Sequence, residues 1–250
     1  MTTQRPKVAF FDFACCEGCQ LQVANMGEEL LEVLELIELV EFREVMSEKW
    51  DQDYDVAIVE GSITDDHAVE RINNIRKKAR VLVAYGSCAT IGGVNGMKNN
   101  FDLEDIRKYV YGKNARFFPT LETRAVHQVV KVDYFVHGCP VYIPELVNVL
   151  KCILKGIPYE VPDCAVCVEC KLNENVCMYD RDLACMGPVT RAGCNSWCVN
   201  NGNICYGCRG MVTNPNENGA IDVIKRYNID INLITNKMYM YNKCRELDKK

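Results

Sequence analysis

The sequence of 250 residues contains no apolar stretch approaching the roughly eighteen to twenty residues that a membrane span requires. Its N-terminal region passes from Arg5 and Lys7 to Asp12, Glu17 and the acidic residues between Glu28 and Glu48 without the apolar core of a secretory signal. An excess of positive charge is missing too. With 29 Lys and Arg against 34 Asp and Glu, the formal net charge is −5, which argues against a nucleic-acid binder steered by a basic face. No G-x-G-x-x-G follows the first strand-like segment, and Gly92, Gly93 and Gly96 have the wrong spacing for a dinucleotide fingerprint. Histidine is scarce, three in all, and none occurs after His137. What remains is an ordinary globular composition, 48% hydrophobic and 25% charged, in a chain long enough for a main domain with a small satellite. The excess is in cysteine, at 16 residues.

A disulfide framework suits secreted chains. This one is expected to be cytoplasmic, where thiols stay reduced. The cysteines are also unevenly placed. Cys15, Cys16, Cys19, Cys88, Cys139 and Cys152 are spread over the first 152 residues, nine crowd between Cys164 and Cys208, and Cys244 stands alone. That crowding points to metal or iron-sulfur ligation.

Up to residue 156 the chain alternates short apolar runs with amphipathic stretches. Strands are predicted over 8–13, 54–59, 80–85 and 134–136, and helices over 28–40, 65–79, 102–111 and 144–154. This alternation predicts a mostly parallel sheet covered on both faces, with its site beyond the carboxyl ends of the strands. Cys16 and Cys19, Glu60 to Ser62, Cys88 and Cys139 each follow such a strand, so four cysteines distant in sequence are expected at one rim. Residues 157–212 instead lack long periodicity and are rich in Pro, Gly, Asn and Cys, so something other than apolar burial is expected to close their loops. The tail, 213–250, is weakly amphipathic and predicts a docked helix. Its charged end is expected to be solvated.

Structural zinc can use paired CxxC elements, and Cys167 with Cys170 and Cys205 with Cys208 have that spacing. The large number of ligands, the short loops and the absence of downstream histidine favour iron-sulfur clusters. The simple ferredoxin run ending in Cys-Pro is absent, since Met178 follows Cys177 and Val199 follows Cys198. Spacing alone leaves open how the ligands are shared.

Seven separated segments then appear in order: Cys16-Glu17-Gly18-Cys19, Val59-Glu60-Gly61-Ser62, Gly86-Ser87-Cys88-Ala89, His137-Gly138-Cys139-Pro140, Cys167 to Cys185, Gly187-Pro188-Val189-Thr190 leading to Cys194 and Cys198, and Cys205-Tyr206-Gly207-Cys208-Arg209-Gly210. Together they resemble the electron-transferring small subunit of cytoplasmic nickel-iron hydrogenases, of the sulfhydrogenase delta, NADP-linked and methyl-viologen-reducing type. The resemblance implies a flavodoxin-like α/β domain over 1–156, a small iron-sulfur domain over 157–212 and a docked tail. It also implies three [4Fe-4S] clusters. Cys16, Cys19, Cys88 and Cys139 would hold the proximal cluster, and Cys167, Cys170, Cys177, Cys185, Cys194, Cys198, Cys205 and Cys208 would hold the medial and distal ones. Cys15, Cys152, Cys164 and Cys244 are left as extras. No catalytic residue is expected here. The nickel-iron centre would lie in a large subunit, and electrons would leave through an output subunit that is flavin- or nicotinamide-bearing, ferredoxin-like or heterodisulfide-reductase-linked. The rival relative is the complex I subunit that uses adjacent cysteines, as Cys15 and Cys16 are, but that subunit lacks the nine-cysteine segment.

Backbone amides at Gly18, Gly86, Gly138, Gly193 and Gly207 are expected to face cluster sulfur, Gly18 and Gly138 foremost. Glu17 is expected to cap the helix that starts near Cys19, and Glu60 to fix the turn into Ser62. The three histidines read as structural, with His137 best placed for a hydrogen bond beside the cluster.

Overall fold

The computed structural model describes residues 5–47 and 53–245. In chain order its elements begin with β1 (Lys7–Asp12), α1 (Gly18–Ala24), α2 (Glu28–Leu36), β2 (Glu38–Glu41), β3 (Tyr54–Glu60), α3 (Asp66–Lys78), β4 (Ala79–Tyr85) and α4 (Gly86–Ile91). They continue with α5 (Leu103–Tyr111), β5 (Tyr134–Val136), α6 (Ile143–Lys155), α7 (Val166–Leu172), α8 (Trp197–Asn200), α9 (Glu217–Arg226) and α10 (Ile231–Asn242).

The five strands form one sheet in the order β2-β1-β3-β4-β5, with every pair parallel. Strands buried on both faces need apolar residues at successive positions, which Val8 to Phe11 and Val56 to Val59 supply. Ala9 and Phe11 point into one apolar layer with Ile72, Ile75 and Leu82, which α3 covers. Val8 and Phe10 point into the other with Phe42, Ile58, Leu146 and Val149, beneath α1, α2 and α6. The strand order reverses between β1 and β3, the kind of switch point at which doubly wound sheets open a crevice. The pairs Asp12 with Glu60, Val59 with Ala84 and Tyr85 with Val136 set the carboxyl ends of these strands level. The segments leaving them therefore emerge on one rim.

The helix predicted over 28–40 ends at Leu36 instead. Ile37 is extended at φ −127°, and Glu38–Glu41 forms the edge strand β2. Ile37 and Val40 are buried against the sheet, where their β-branched side chains fit a pleat better than a helix turn. The remaining predicted elements lie within a residue or two of their observed bounds. Asp65 caps α3 by accepting from the Ala68 N–H, and Asp102 caps α5 by accepting from those of Glu104 and Asp105.

Beyond residue 156, a helical region follows the sheet. The tail forms two helices, α9 and α10, rather than one. Val223, Tyr227, Ile229, Ile234 and Met238 from this tail cover an apolar cluster of Val166, Met178, Tyr179, Met186, Val199 and Ile204, in which the thiols of Cys185 and Cys205 are also buried. Burial therefore contributes more to this region than its composition implied. The chain end returns to the sheet domain, where buried Cys244 donates to the Thr123 carbonyl and packs against Gly96. The charged residues after Arg245 lie outside the described residues.

Candidate functional site

Cys16 lies in the turn between β1 and α1, where Glu17 takes a left-handed conformation at φ 60°. Cys19 sits in the first turn of α1, Cys88 in α4 directly after β4, and Cys139 in the turn after β5. The fold brings these four together. The Cys19 thiol is raised by burial first, and Glu60, Cys139 and Cys88 add to it. Burial pushes Cys88 up to about 12, with Cys139 and Cys16 next in effect. Burial also raises Cys139, where Cys16 adds to the effect. Cys19, Cys88 and Cys139 resist ionisation near the buried Glu60, and a cationic metal core would reverse that cost by holding them as thiolates. Cys19 packs directly against the turn after β4: a Cβ on Gly86, at φ +83°, would lie 2.6 Å from Cys19 Sγ. Only glycine leaves that approach open.

Glu60, 2% exposed, accepts hydrogen bonds from the N–H groups of Cys19 at 3.1 Å and Gln20 at 2.9 Å. It therefore caps α1 from a neighbouring strand. Glu17 occupies the N-cap position but makes no side-chain cap, and its carboxylate pairs with Arg43 at 3.2 Å. The capping role expected of Glu17 thus falls to Glu60, because the carboxylate at the end of β3 points at the free amides of the helix. Cys15 is half-buried and raised to about 12 by burial and then by Glu60, whereas Cys16 is exposed and stands among Cys88 and Cys139.

Seven of the eight later cysteines fall into two groups. The Cys167 thiol is raised to about 12 by burial, then by Cys185, Cys170 and Cys177, which gathers these four about α7. Cys208 is raised to about 12 by burial, then by Cys194, with Cys139 and Cys198 contributing further. Cys205 lies between the groups, influenced by Cys185 and Cys208, and is buried as Cys185 is. A cavity of about 310 Å³ is lined by Cys139, Cys194, Cys198 and Cys208, together with Tyr142 and Trp197. Cys139 of the rim set thus adjoins Cys194, Cys198 and Cys208, and Cys205 adjoins both Cys208 and Cys185. Among the described residues, no three His, Cys, Asp or Glu side chains close around a single ion.

Amides from Val141 to Cys19, Val94 to Cys88, Gly187 to Cys185, Gly207 to Cys205 and Trp197 to Cys194 reach the sulfurs. Gly207 holds the role expected of it. Gly18 packs close to Cys16 Sγ, 3.3 Å from where its Cβ would lie. Gly138 instead shapes its turn, at φ +142°, and its carbonyl accepts from the Ser87 N–H at 2.7 Å. His137 acts through its backbone: its carbonyl accepts from Arg209, while its buried Nδ1 has no hydrogen-bond partner among the described residues. Burial, with Arg209 and Arg191 nearby, keeps the imidazole well below its usual range.

Two contacts were not legible in the sequence. The Tyr241 hydroxyl of α10 donates to Cys139 Sγ and stands near Cys208 and Cys88. The Ser87 hydroxyl donates to the Cys208 carbonyl, joining the rim to the middle group. Of the extras, Cys152 lies on α6, Cys164 is exposed and Cys244 is buried in the tail anchor.

Residues 16–153 match the family described as NADH ubiquinone oxidoreductase, 20 Kd subunit. The sulfhydrogenase 2 subunit delta of Pyrococcus furiosus is 36% identical over 220 residues, covering 88% of this chain and 92% of that subunit. A crystal structure of an NAD+-reducing [NiFe]-hydrogenase in the H2-reduced state contains a chain that superposes with a TM-score of 0.57 at 26% identity. The match covers 64% of this chain and 96% of that one. The reduced, active Ni-Fe-Se hydrogenase from Desulfomicrobium baculatum gives a TM-score of 0.56 at 19% identity over 83% of this chain and 95% of that chain, a likeness of fold alone.

Proposed function

The chain belongs to the NADH ubiquinone oxidoreductase 20 kDa subunit family and, within the range of its hydrogenase relatives, to the nickel-iron hydrogenase small or delta subunits, and from this we propose that it relays electrons through three [4Fe-4S] clusters. The observation that carries the proposal is the succession of adjoining cysteines from the rim through Cys208 and Cys205 to Cys185 and Cys167. In this reading Cys16, Cys19, Cys88 and Cys139 hold the proximal cluster on a sheet domain spanning 1–156. Cys194, Cys198, Cys205 and Cys208 hold the medial one, and Cys167, Cys170, Cys177 and Cys185 the distal one, in an iron-sulfur domain spanning 157–212 against which the tail docks.

Each cluster, when bound, supplies a one-electron site whose potential depends on charge, hydrogen bonds and solvent access. The chain's own residues do the rest. Thiolates hold the iron, and the amides of Val141, Val94, Gly187 and Gly207 offset part of the negative charge on sulfur. Glu60 fixes α1 so that Cys19 faces the rim. Tyr241 closes the proximal group from the side of the tail. Hydrogen activation belongs to a nickel-iron large subunit docked near the rim, and an output subunit takes electrons from the distal end, within the cytoplasm.

The family match over 16–153 favours a complex I-like reading of the sheet domain taken alone. Coverage by the sulfhydrogenase relative extends that comparison across the cysteine-rich segment and favours the hydrogenase reading for the whole chain. In the complex purified with its large subunit, hydrogen gas reduces the clusters of this chain. The chain purified alone is reduced by dithionite but not by hydrogen. Hydrogen uptake by the isolated chain, or clusters in the complex that ignore hydrogen, would overturn the reading.

A further inference from the structure

Arg209 follows Cys208 directly, and its side chain is 1% exposed. Every part of the guanidinium is engaged. Nε donates to the Ala192 carbonyl at 2.8 Å, and Nη1 donates to the His137 carbonyl at 2.6 Å and to Glu145 Oε2 at 2.6 Å. Nη2 donates to Glu145 Oε1 at 2.7 Å, which also accepts from the Tyr159 hydroxyl at 2.8 Å. Glu145 lies in the first turn of α6, on the sheet domain, and its side chain is 3% exposed.

The positions of these partners relative to the cysteines are informative. His137 precedes Cys139 by two residues, Ala192 precedes Cys194 by two, and Arg209 succeeds Cys208 by one. One side chain therefore ties together the loops that present cysteines of the rim group and of the middle group. Gly193, at φ +115°, lies so close that a Cβ there would strike the guanidinium, so the residue before Cys194 is bare where Arg209 passes. Burying an ion pair gains little over apolar packing of the same volume, so stability alone gives a weak account of this one. Placement and charge give a stronger one. The guanidinium passes against Gly193, the residue before Cys194, and its own residue directly follows Cys208, so its charge lies beside the loops of two middle-group cysteines.

We propose that Arg209, held by Glu145, is a positioning residue for electron transfer that fixes the spacing between the proximal and medial clusters and raises the reduction potential of the medial one. The proposal rests on the three-cluster reading. A cation beside the sulfurs favours the more negative, reduced state of what they hold, and the Glu145 carboxylate, which reaches these loops through the guanidinium, offsets part of that effect. The bidentate fork supplies the geometry, which an ammonium cannot reproduce.

The test is a potentiometric titration followed by electron paramagnetic resonance on the intact complex, with iron measured in every sample. Glu145→Gln leaves the guanidinium without its counter-charge and raises the potential of one cluster only. The paired change Arg209→Met with Glu145→Met removes both charges without stranding either and lowers the potential of that same cluster. Arg209→Lys keeps the charge and stays nearer the unaltered potential, while the magnetic interaction between this cluster and the proximal one changes. Opposite shifts in the first two variants support the proposal, because loosened packing alone has no reason to reverse sign between them. Shifts of the same sign, or unchanged potentials at full iron content, overturn it. If the paired variant loses iron, a Glu145→Gln potential that does not rise is sufficient to overturn it. Failure of the underlying reading looks different: the unaltered complex would then lack three reducible four-iron clusters.

Discussion

Replacing Cys16 by alanine abolishes hydrogen-linked electron flow and removes about four irons per chain, whereas replacing Cys15 spares both. The two residues are adjacent, yet their surroundings differ. The Cys16 thiol is exposed on the rim and bears on both Cys88 and Cys139, on the other side of the β1/β3 switch point. Cys15 is partly buried, and after burial its main influence is Glu60. Loss of Cys16 removes a ligand from the first station of the relay, so electrons from the partner have no acceptor within reach. Loss of Cys15 removes a small half-buried group and costs about 1 kcal/mol of packing. Spectra after dithionite reduction distinguish the cases. If Cys15→Ala erases the proximal signal while Cys16→Ala keeps it, the ligand assignment is reversed. Loss in both variants favours the adjacent-cysteine arrangement of the complex I relative.

Withholding iron unfolds the cysteine-rich segment and leaves the sheet domain largely protected. The two apolar layers of the sheet are built from Phe10, Phe11, Ile58, Ile72, Leu82 and Leu146, which bury one another without help from a metal. The third apolar cluster is smaller. It buries Cys185 and Cys205 and packs against Cys170, Cys177 and Cys194, so side chains that would bind metal make up part of its own interior. Without metal those thiols pack weakly, and the short α7 and α8 are below the length at which a helix holds alone. Limited proteolysis of cluster-free protein therefore cuts first between Pro162 and Gly210, and α9 and α10 loosen with the surface they cover. Equal protection along the whole chain would contradict this asymmetry.

The sheet was largely legible in the sequence because its strands are apolar at successive positions and its helices are amphipathic. The rim followed from them: once β1, β4 and β5 are parallel and level, Cys16, Cys88 and Cys139 must emerge on one side. β2 was missed because Ile37 and Val40 extend the helical spacing of Leu30, Leu31 and Leu34, and only the free edge of the sheet decides between the two. Contacts between distant residues were illegible for a different reason. Glu60 caps a helix 40 residues upstream, and Arg209 pairs with Glu145 across 64 residues, and no local pattern records either. Spacing left the sharing of the eight later cysteines open. The fold places Cys170, Cys177 and Cys185 near Cys167, and Cys194 and Cys198 near Cys208, with Cys205 between Cys185 and Cys208.

Metal analysis of the anaerobically purified chain tests the central claim, three four-iron clusters in one relay, most directly. The account predicts about twelve irons per chain, matching acid-labile sulfide and no stoichiometric zinc. About four irons would confine the clusters to a single site and contradict the relay. Zinc in place of the remaining iron would make the cysteine-rich segment a structural staple instead of a conductor.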